Sequence, residues 1–286
     1  MTDEAETRAT SVAAGSDAPV QAGGAGKVRS QWPAVYKITF DDLIEVTAAG
    51  INDFRKAPKY GLFFGGMYAV VGWLLLAMLW FFGLYYLVYP LAMGFALIAP
   101  FASVGFYSVS DFLEKGKPLS WSAVFGAVRE ASKRDLRWMA LISAFTFFMW
   151  IDYAMIIFLS FMGFDALGWQ AFDLIFSTSQ GWMFLIFGNI AGALVAIVVF
   201  SISVVTYPML YDRDVDFVTA MVTSVRLVVA NPLTMLGWCA FITVFTGLSL
   251  LSLFFGLFVM LPILGHASWH LYKRAVGPQP LKASNK

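Results

Sequence analysis

Charge, cysteine and histidine are what this sequence has least of. Of 286 residues only 13% are Asp, Glu, Lys or Arg, one is a cysteine (Cys239) and two are histidines (His266 and His270). A single cysteine excludes a disulfide within the chain and any Cys-rich metal site. Lying in an apolar segment, Cys239 reads as a small packing residue. The chain also has no HExxH pair, P-loop, nucleophile elbow or dinucleotide fingerprint, and no basic surface interleaved with aromatics, so the enzymes built on those motifs and nucleic-acid binders are set aside. No catalytic residue and no cofactor is predicted. What the sequence has in abundance is apolar surface, with 59% hydrophobic and 17% aromatic residues. That lies outside the range of an ordinary soluble domain and makes the lipid bilayer the solvent and first partner.

A helix crossing about 30 Å of hydrocarbon needs roughly 20 apolar residues. Six stretches supply them, near Tyr60 to Phe82, Tyr86 to Val109, Trp138 to Met162, Trp182 to Tyr207, Leu233 to Leu251 and Leu253 to Tyr272. Strand-like alternation is absent, so a barrel is not expected. Seven basic residues precede the first stretch, six lie between the second and third, two between the fourth and fifth, and four at or after the end of the sixth. The other connections have none. Because lysine and arginine are retained on the cytoplasmic side, this pattern places both termini there and requires an even number of crossings. The fifth and sixth stretches are separated only by Gly247, Ser249 and Ser252, so a four-crossing arrangement with re-entrant segments is the alternative. Residues 1–34 read as a disordered cytoplasmic tail without a signal-peptide core, 35–276 as the membrane domain, and 277–286 as a second cytoplasmic tail.

A similar amphipathic pattern precedes the first, third and fifth stretches. Phe40, Leu43, Ile44 and Thr47 match Trp121, Val124, Phe125 and Val128, then Phe217, Ala220, Met221 and Ser224. The spacing makes one helix face apolar. Each segment runs through a polar joint into a crossing, and Pro58 and Pro232 suit a helix start. The expected fold is therefore all-α, a polytopic bundle of six transmembrane helices. It would form three hairpins, each preceded by an interfacial amphipathic helix, as repeats over about 36–117, 118–213 and 214–276.

Few residues could carry chemistry. His266 and His270, at i and i+4, face one direction on a helix and are weak candidates for metal or haem contact. The plainer expectation is that they cap the last helical turn near the interface. They cannot ligate one haem from opposite faces, and two histidines are too few for a catalytic oxidase subunit. Asp152, in the outer half of the third crossing, and Asn189 lie at comparable depth; Asp152 is expected to be hydrated near the outer interface, to be hydrogen-bonded to Asn189, or to line with it a proton or solute path. Asp165 and Asp173 read as solvated loop acids. Gly61, Gly65 and Ala69, and Gly188, Gly192 and Ala196, form small-residue stripes for close helix packing. Arg55, Lys56 and Lys59, with Lys133, Arg134 and Arg137, are placed to face anionic headgroups.

Three segments carry a resemblance: Asp53-Phe54-Arg55-Lys56-Ala57-Pro58 with Gly61-Leu62-Phe63-Phe64-Gly65-Gly66, Ala99-Pro100-Phe101 with Gly105-Phe106-Tyr107, and Gly265-His266-Ala267-Ser268-Trp269-His270-Leu271-Tyr272-Lys273. Over residues 35 to 276 the chain resembles a bacterial family of predicted integral membrane proteins, of the domain of unknown function 2189 type. Some members are named putative cytochrome c oxidase subunits. The resemblance implies six helices in the inner membrane and no activity of its own. A non-enzymatic protein that binds other membrane proteins is the leading expectation, with a respiratory complex as the conceivable partner. A small-solute or proton transporter is the first alternative, and haem, metal or lipid handling through His266 and His270 the second.

Overall fold

The computed structural model describes residues 32–88, 90–92, 94, 103–133, 135–166 and 170–277. Eleven α-helices are described in full: α1 Phe40–Lys56, α2 Pro58–Phe81, α3 Val104–Glu114, α4 Trp121–Lys133, α5 Leu136–Met162, α6 Gln170–Ser177, α7 Ser179–Ser203, α8 Thr206–Asp212, α9 Phe217–Ala230, α10 Pro232–Leu251 and α11 Leu257–Ala275. Among the described residues the only strand-like pairing is a bridge between Val35 and Val276.

Helix boundaries follow local chemistry. Thr39 caps α1: its side chain accepts from Asp42 N at 3.2 Å while Asp42 Oδ2 accepts from Thr39 N at 2.7 Å. Such a reciprocal box satisfies two amides that have no partner inside the helix. Asp41 and Asp42 at one end, and Arg55 and Lys56 at the other, oppose the α1 dipole. Pro58 and Pro232 each open the next long helix, where an absent N–H leaves no bond broken. Thr178 and Asp216 cap α7 and α9 by accepting from Gly181 N and Thr219 N, without the reciprocal bond. The amphipathic segments α1, α4 and α9 begin on Phe40, Trp121 and Phe217, and each leads within a few residues into a long apolar helix.

Among the described residues four helices are long and apolar enough to cross a membrane: α2, α5, α7 continued by α8, and α10. This differs from the six crossings expected. Of the second expected stretch, residues 89, 93 and 95–102 lie outside the described residues, and Pro100 with them. The sixth does not begin as a helix. Leu253 and Phe254 take positive φ in a tight turn, and α11 starts only at Leu257. At 19 residues, α11 carries His266, Ser268, His270, Lys273 and Arg274 and falls short in apolarity. Its surroundings explain the composition. Leu264, Gly265, His266, Ala267, Trp269, Leu271 and Tyr272 are all buried, so most of α11 faces other helices rather than lipid. Hydropathy alone does not separate a helix buried in protein from one bathed in lipid.

Helices α1, α2, α3 and α10 pack around α11. A Cβ placed on Gly50 of α1 would lie 2.7 Å from both Ala267 N and Ile263 O, and one on Gly65 of α2 would lie 2.7 Å from Leu257 O. Backbones at that distance leave room only for glycine. The main core gathers Leu43, Val46, Leu136, Met139, Tyr207, Leu227, Trp238 and Trp269, with the first and last parts of the chain in one cluster.

Candidate functional site

The signature of α11 is the centre of a buried polar network. Residues four apart lie on one helical face, so His266 and His270 both look toward the crossing of α1 and α3. Asp53, in the last turn of α1, meets them there. His270 Nε2 lies 2.7 Å from Asp53 Oδ2, Ser110 Oγ of α3 lies 2.8 Å from the same oxygen, and Ser110 Oγ lies 2.8 Å from His266 Nδ1.

The protonation pattern follows by elimination. An ionised carboxylate only accepts, so Ser110 donates to Asp53 and must in turn accept from His266 Nδ1–H. Neutral His266 then carries its hydrogen on Nδ1 and a bare lone pair on Nε2. That Nε2 atom is buried with no hydrogen-bond partner among the described residues, as is Tyr60 Oη. Burial pushes the Asp53 carboxyl up, but the bonds from His270 and Ser110 and the nearby imidazoles outweigh it and hold Asp53 below the ordinary carboxylate range. A carboxylate in the last turn also sits at the negative end of the helix dipole, which is a second reason it needs partners.

Closer to the end of the chain, Glu114 accepts from Trp269 Nε1 at 3.1 Å and lies 3.7 Å from Lys273. Asp212 accepts from Tyr272 Oη at 2.7 Å and lies 3.7 Å from the same lysine. Arg274 pairs with Asp42 and Glu45 of α1. Asn231, in the α9–α10 joint, accepts from Ile38 N at 2.9 Å and donates to Tyr36 O at 3.0 Å. Helices α1, α3, α8 and α11 are thus tied together by side chains that satisfy one another. Ser110 and His266 are fully buried, so neither presents a nucleophile or base to a substrate.

The network corrects the expectation that both histidines cap a surface turn. His266 has no exposure, and His270 is bound to an acid 217 residues earlier in the chain. Asp53, Ser110, Glu114 and Asp212 were not singled out from sequence. The one signal was Asp53, an acid in an otherwise basic joint. Among the described residues no three His, Cys, Asp or Glu side chains are arranged to hold a metal ion.

The other candidates are dispersed. Asp152 is exposed on α5, with no hydrogen bond or ion pair among the described residues, so the expected pair with Asn189 is not made. Asn189 is exposed on α7 and donates to Leu185 O of its own helix at 2.7 Å. Gly61 and Gly65 face α11 at Pro262 and Leu257, and Ala69 is fully buried. Gly188 is different, because the nearest atom to an added Cβ is 3.9 Å away, in its own helix. Gly192 is buried, and Ala196 lines a cavity of about 130 Å³ together with Cys239, Ser103 and Thr246. A larger cavity of about 450 Å³, lined by apolar residues such as Leu76, Phe158, Phe184 and Phe254, opens between α2, α5, α7 and α10. Arg55, Lys56, Lys59 and Arg137 are exposed, and Lys59 and Arg137 lie over the rings of Tyr60 and Trp138. Asp173 is exposed. Arg134 and the side chains of Lys133 and Asp165 lie outside the described residues.

Long apolar helices around a small buried polar core define an integral membrane protein. Residues 88–212 match the family model described as "Predicted integral membrane protein (DUF2189)". The match holds the Gly105-Phe106-Tyr107 motif and Ser110, while Asp53 and the two histidines fall outside it. No curated protein and no solved structure matches the chain.

Proposed function

We propose that this is a non-enzymatic protein of the bacterial inner membrane that acts by binding other membrane proteins, with both ends of the chain on the cytoplasmic side. One observation carries the reading. Of the apolar 18-residue window within the span that begins at Ser179, only 11% is buried inside the molecule, against 39% for the corresponding window of α2. The hairpin of α5 and α7 therefore leaves the bundle with a broad face uncovered by its own chain, while every polar group singled out at the α1–α11 end is engaged internally or sealed. The narrower assignment, an accessory or assembly factor of a respiratory complex, rests on the resemblance alone. Neither alternative draws comparable support: Asp152 and Asn189 face outward instead of lining a path, and His270 Nε2 is already bound to Asp53.

Crosslinking in intact membranes, followed by purification in mild detergent and mass spectrometry, tests the reading. A second protein recovered at residues of α5 or α7 is the expected result. A chain that emerges alone at every site defeats it.

A further inference from the structure

The outward face of α5 is a continuous helical stripe of Leu141, Phe145, Phe148, Met149 and Ile156, all exposed, interrupted by one polar side chain, Asp152. The opposite face, through Met139, Ser143, Trp150, Ala154 and Phe158, is buried in the molecule. Asp152 therefore points away from the described residues packed against α5.

Its depth matters. Ten residues separate Asp152 from the end of α5 at Met162, about 15 Å of helix. Exposed apolar side chains continue beyond it through Ile156 to Phe164, and on the neighbouring helix to Trp182. Lipid tails can cover Phe145 or Ile156, but they offer a carboxylate no hydrogen bond and no counter-charge. Aspartate is also too short to reach a distant headgroup as lysine and arginine do.

We propose that Asp152 marks a docking site for a membrane helix of another protein that carries a lysine or arginine at matching depth. This rests on the partner-binding reading above and gives that partner its chemistry. A second copy of the chain does not fit. Within the long apolar helices the only cations are Lys59 and Arg137, in the first turns of α2 and α5, and α11 has Lys273 and Arg274 only in its last turn. None can reach the level of Asp152 in a copy packed side by side. A basic residue on a foreign helix supplies both the counter-charge and the donor, and the flanking Phe148 and Met149 exclude water around the pair.

The test uses the full chain in phosphatidylcholine vesicles with a synthetic leucine-alanine transmembrane helix as probe. The helix carries either one lysine or a leucine at the depth of Asp152, and association is read by energy transfer. The lysine helix is expected to bind at least fivefold more tightly than the leucine helix, a preference lost in Asp152→Leu. Asp152 has no hydrogen bond or ion pair among the described residues, so this variant is expected to fold, and near-native melting checks that it has. Equal binding of the two helices, or a preference that survives Asp152→Leu, overturns the proposal. So does energy transfer between two copies of the chain that Asp152→Leu abolishes, or an infrared carbonyl band assigning Asp152 as a protonated acid facing lipid. A partner crosslinked elsewhere on α5 or α7, with no preference for lysine, would remove this site and leave the broader reading standing. A lysine preference with no partner found in native membranes would do the reverse.

Discussion

Removing the Asp53 side chain should loosen the end of the bundle where α1 meets α11. Asp53 is 5% exposed and accepts two hydrogen bonds, from His270 at 2.7 Å and from Ser110 at 2.8 Å. Asp53→Ala deletes both and leaves a buried hydroxyl and an imidazole N–H without an acceptor. Hydrogen bonds to charged groups contribute about 1.5–3 kcal/mol each, but His270 is partly exposed and regains some of its loss from water, so the expected cost is about 2–4 kcal/mol. For a chain of this size that is roughly 5–12 °C in melting temperature. Asp53→Asn keeps an acceptor for Ser110 and should lose about half as much. The decisive measurement is a double-mutant cycle of Asp53→Ala with His270→Ala in detergent, scored by thermal unfolding. A coupling of at least about 1 kcal/mol is expected. If Asp53→Ala melts within about a degree of the native protein, or the two substitutions simply add, the network does not hold α1 and the reasoning fails.

Acid should produce the same loosening. A carboxyl whose folded pKa is depressed adds stability above its unfolded value of about 3.9, and that stability is lost as pH falls through the folded value. Unfolding measured at pH 7, 4 and 3 should therefore show a drop below about pH 4 that Asp53→Asn reduces; equal drops in both would assign the effect elsewhere. The two small-residue stripes should also behave differently. Gly65→Ala places a Cβ 2.7 Å from Leu257 O and should cost about 1–3 kcal/mol, whereas Gly188→Ala, whose Cβ meets nothing nearer than 3.9 Å, should be neutral or stabilise by up to about 1 kcal/mol. Equal effects in thermal melts would contradict the close approach of α2 and α11. Finally, Asp152→Leu should improve insertion of isolated α5 by about 3 kcal/mol in a translocon assay without lowering the melting temperature of the whole protein. A destabilised protein would mean that Asp152 is held from within.

Much of the helix order was legible because its signals are local. Pro58 and Pro232 mark helix starts, Phe40, Trp121 and Phe217 open amphipathic helices, and apolar length identifies α2, α5, α7 and α10. What the structure does not carry through is the step from six apolar segments to six crossings: four helices among the described residues are long and apolar enough, and part of the second stretch lies outside them. Leu253 to Tyr272 is apolar because α11 is surrounded by protein, and lipid and protein interior select the same side chains. The polar network was illegible for a different reason. Its members are 57, 156 and 217 residues apart, so no spacing rule brings Asp53, Ser110, His266 and His270 together. From sequence the histidines showed only that they share a helix face, and the identity of the opposing face depends on which helices cross there.

The same principle separates the two ends of the molecule. Around α11 each acid has found a donor: Asp53 has His270 and Ser110, Glu114 has Trp269, Asp212 has Tyr272, and Asp42 and Glu45 share Arg274. A buried polar group without a partner is costly, so these pairings fix how α1, α3 and α8 meet α11 and disfavour other arrangements. Asp152 breaks this rule on a helix that is otherwise ordinary, with a buried face ending in Phe158 and an exposed face of large apolar side chains. A chain that satisfies its acids this consistently at one end leaves Asp152, at the other, with no hydrogen bond or ion pair among the described residues. Completion of the outer face of α5 by another protein, as proposed above, would account for both halves of the pattern.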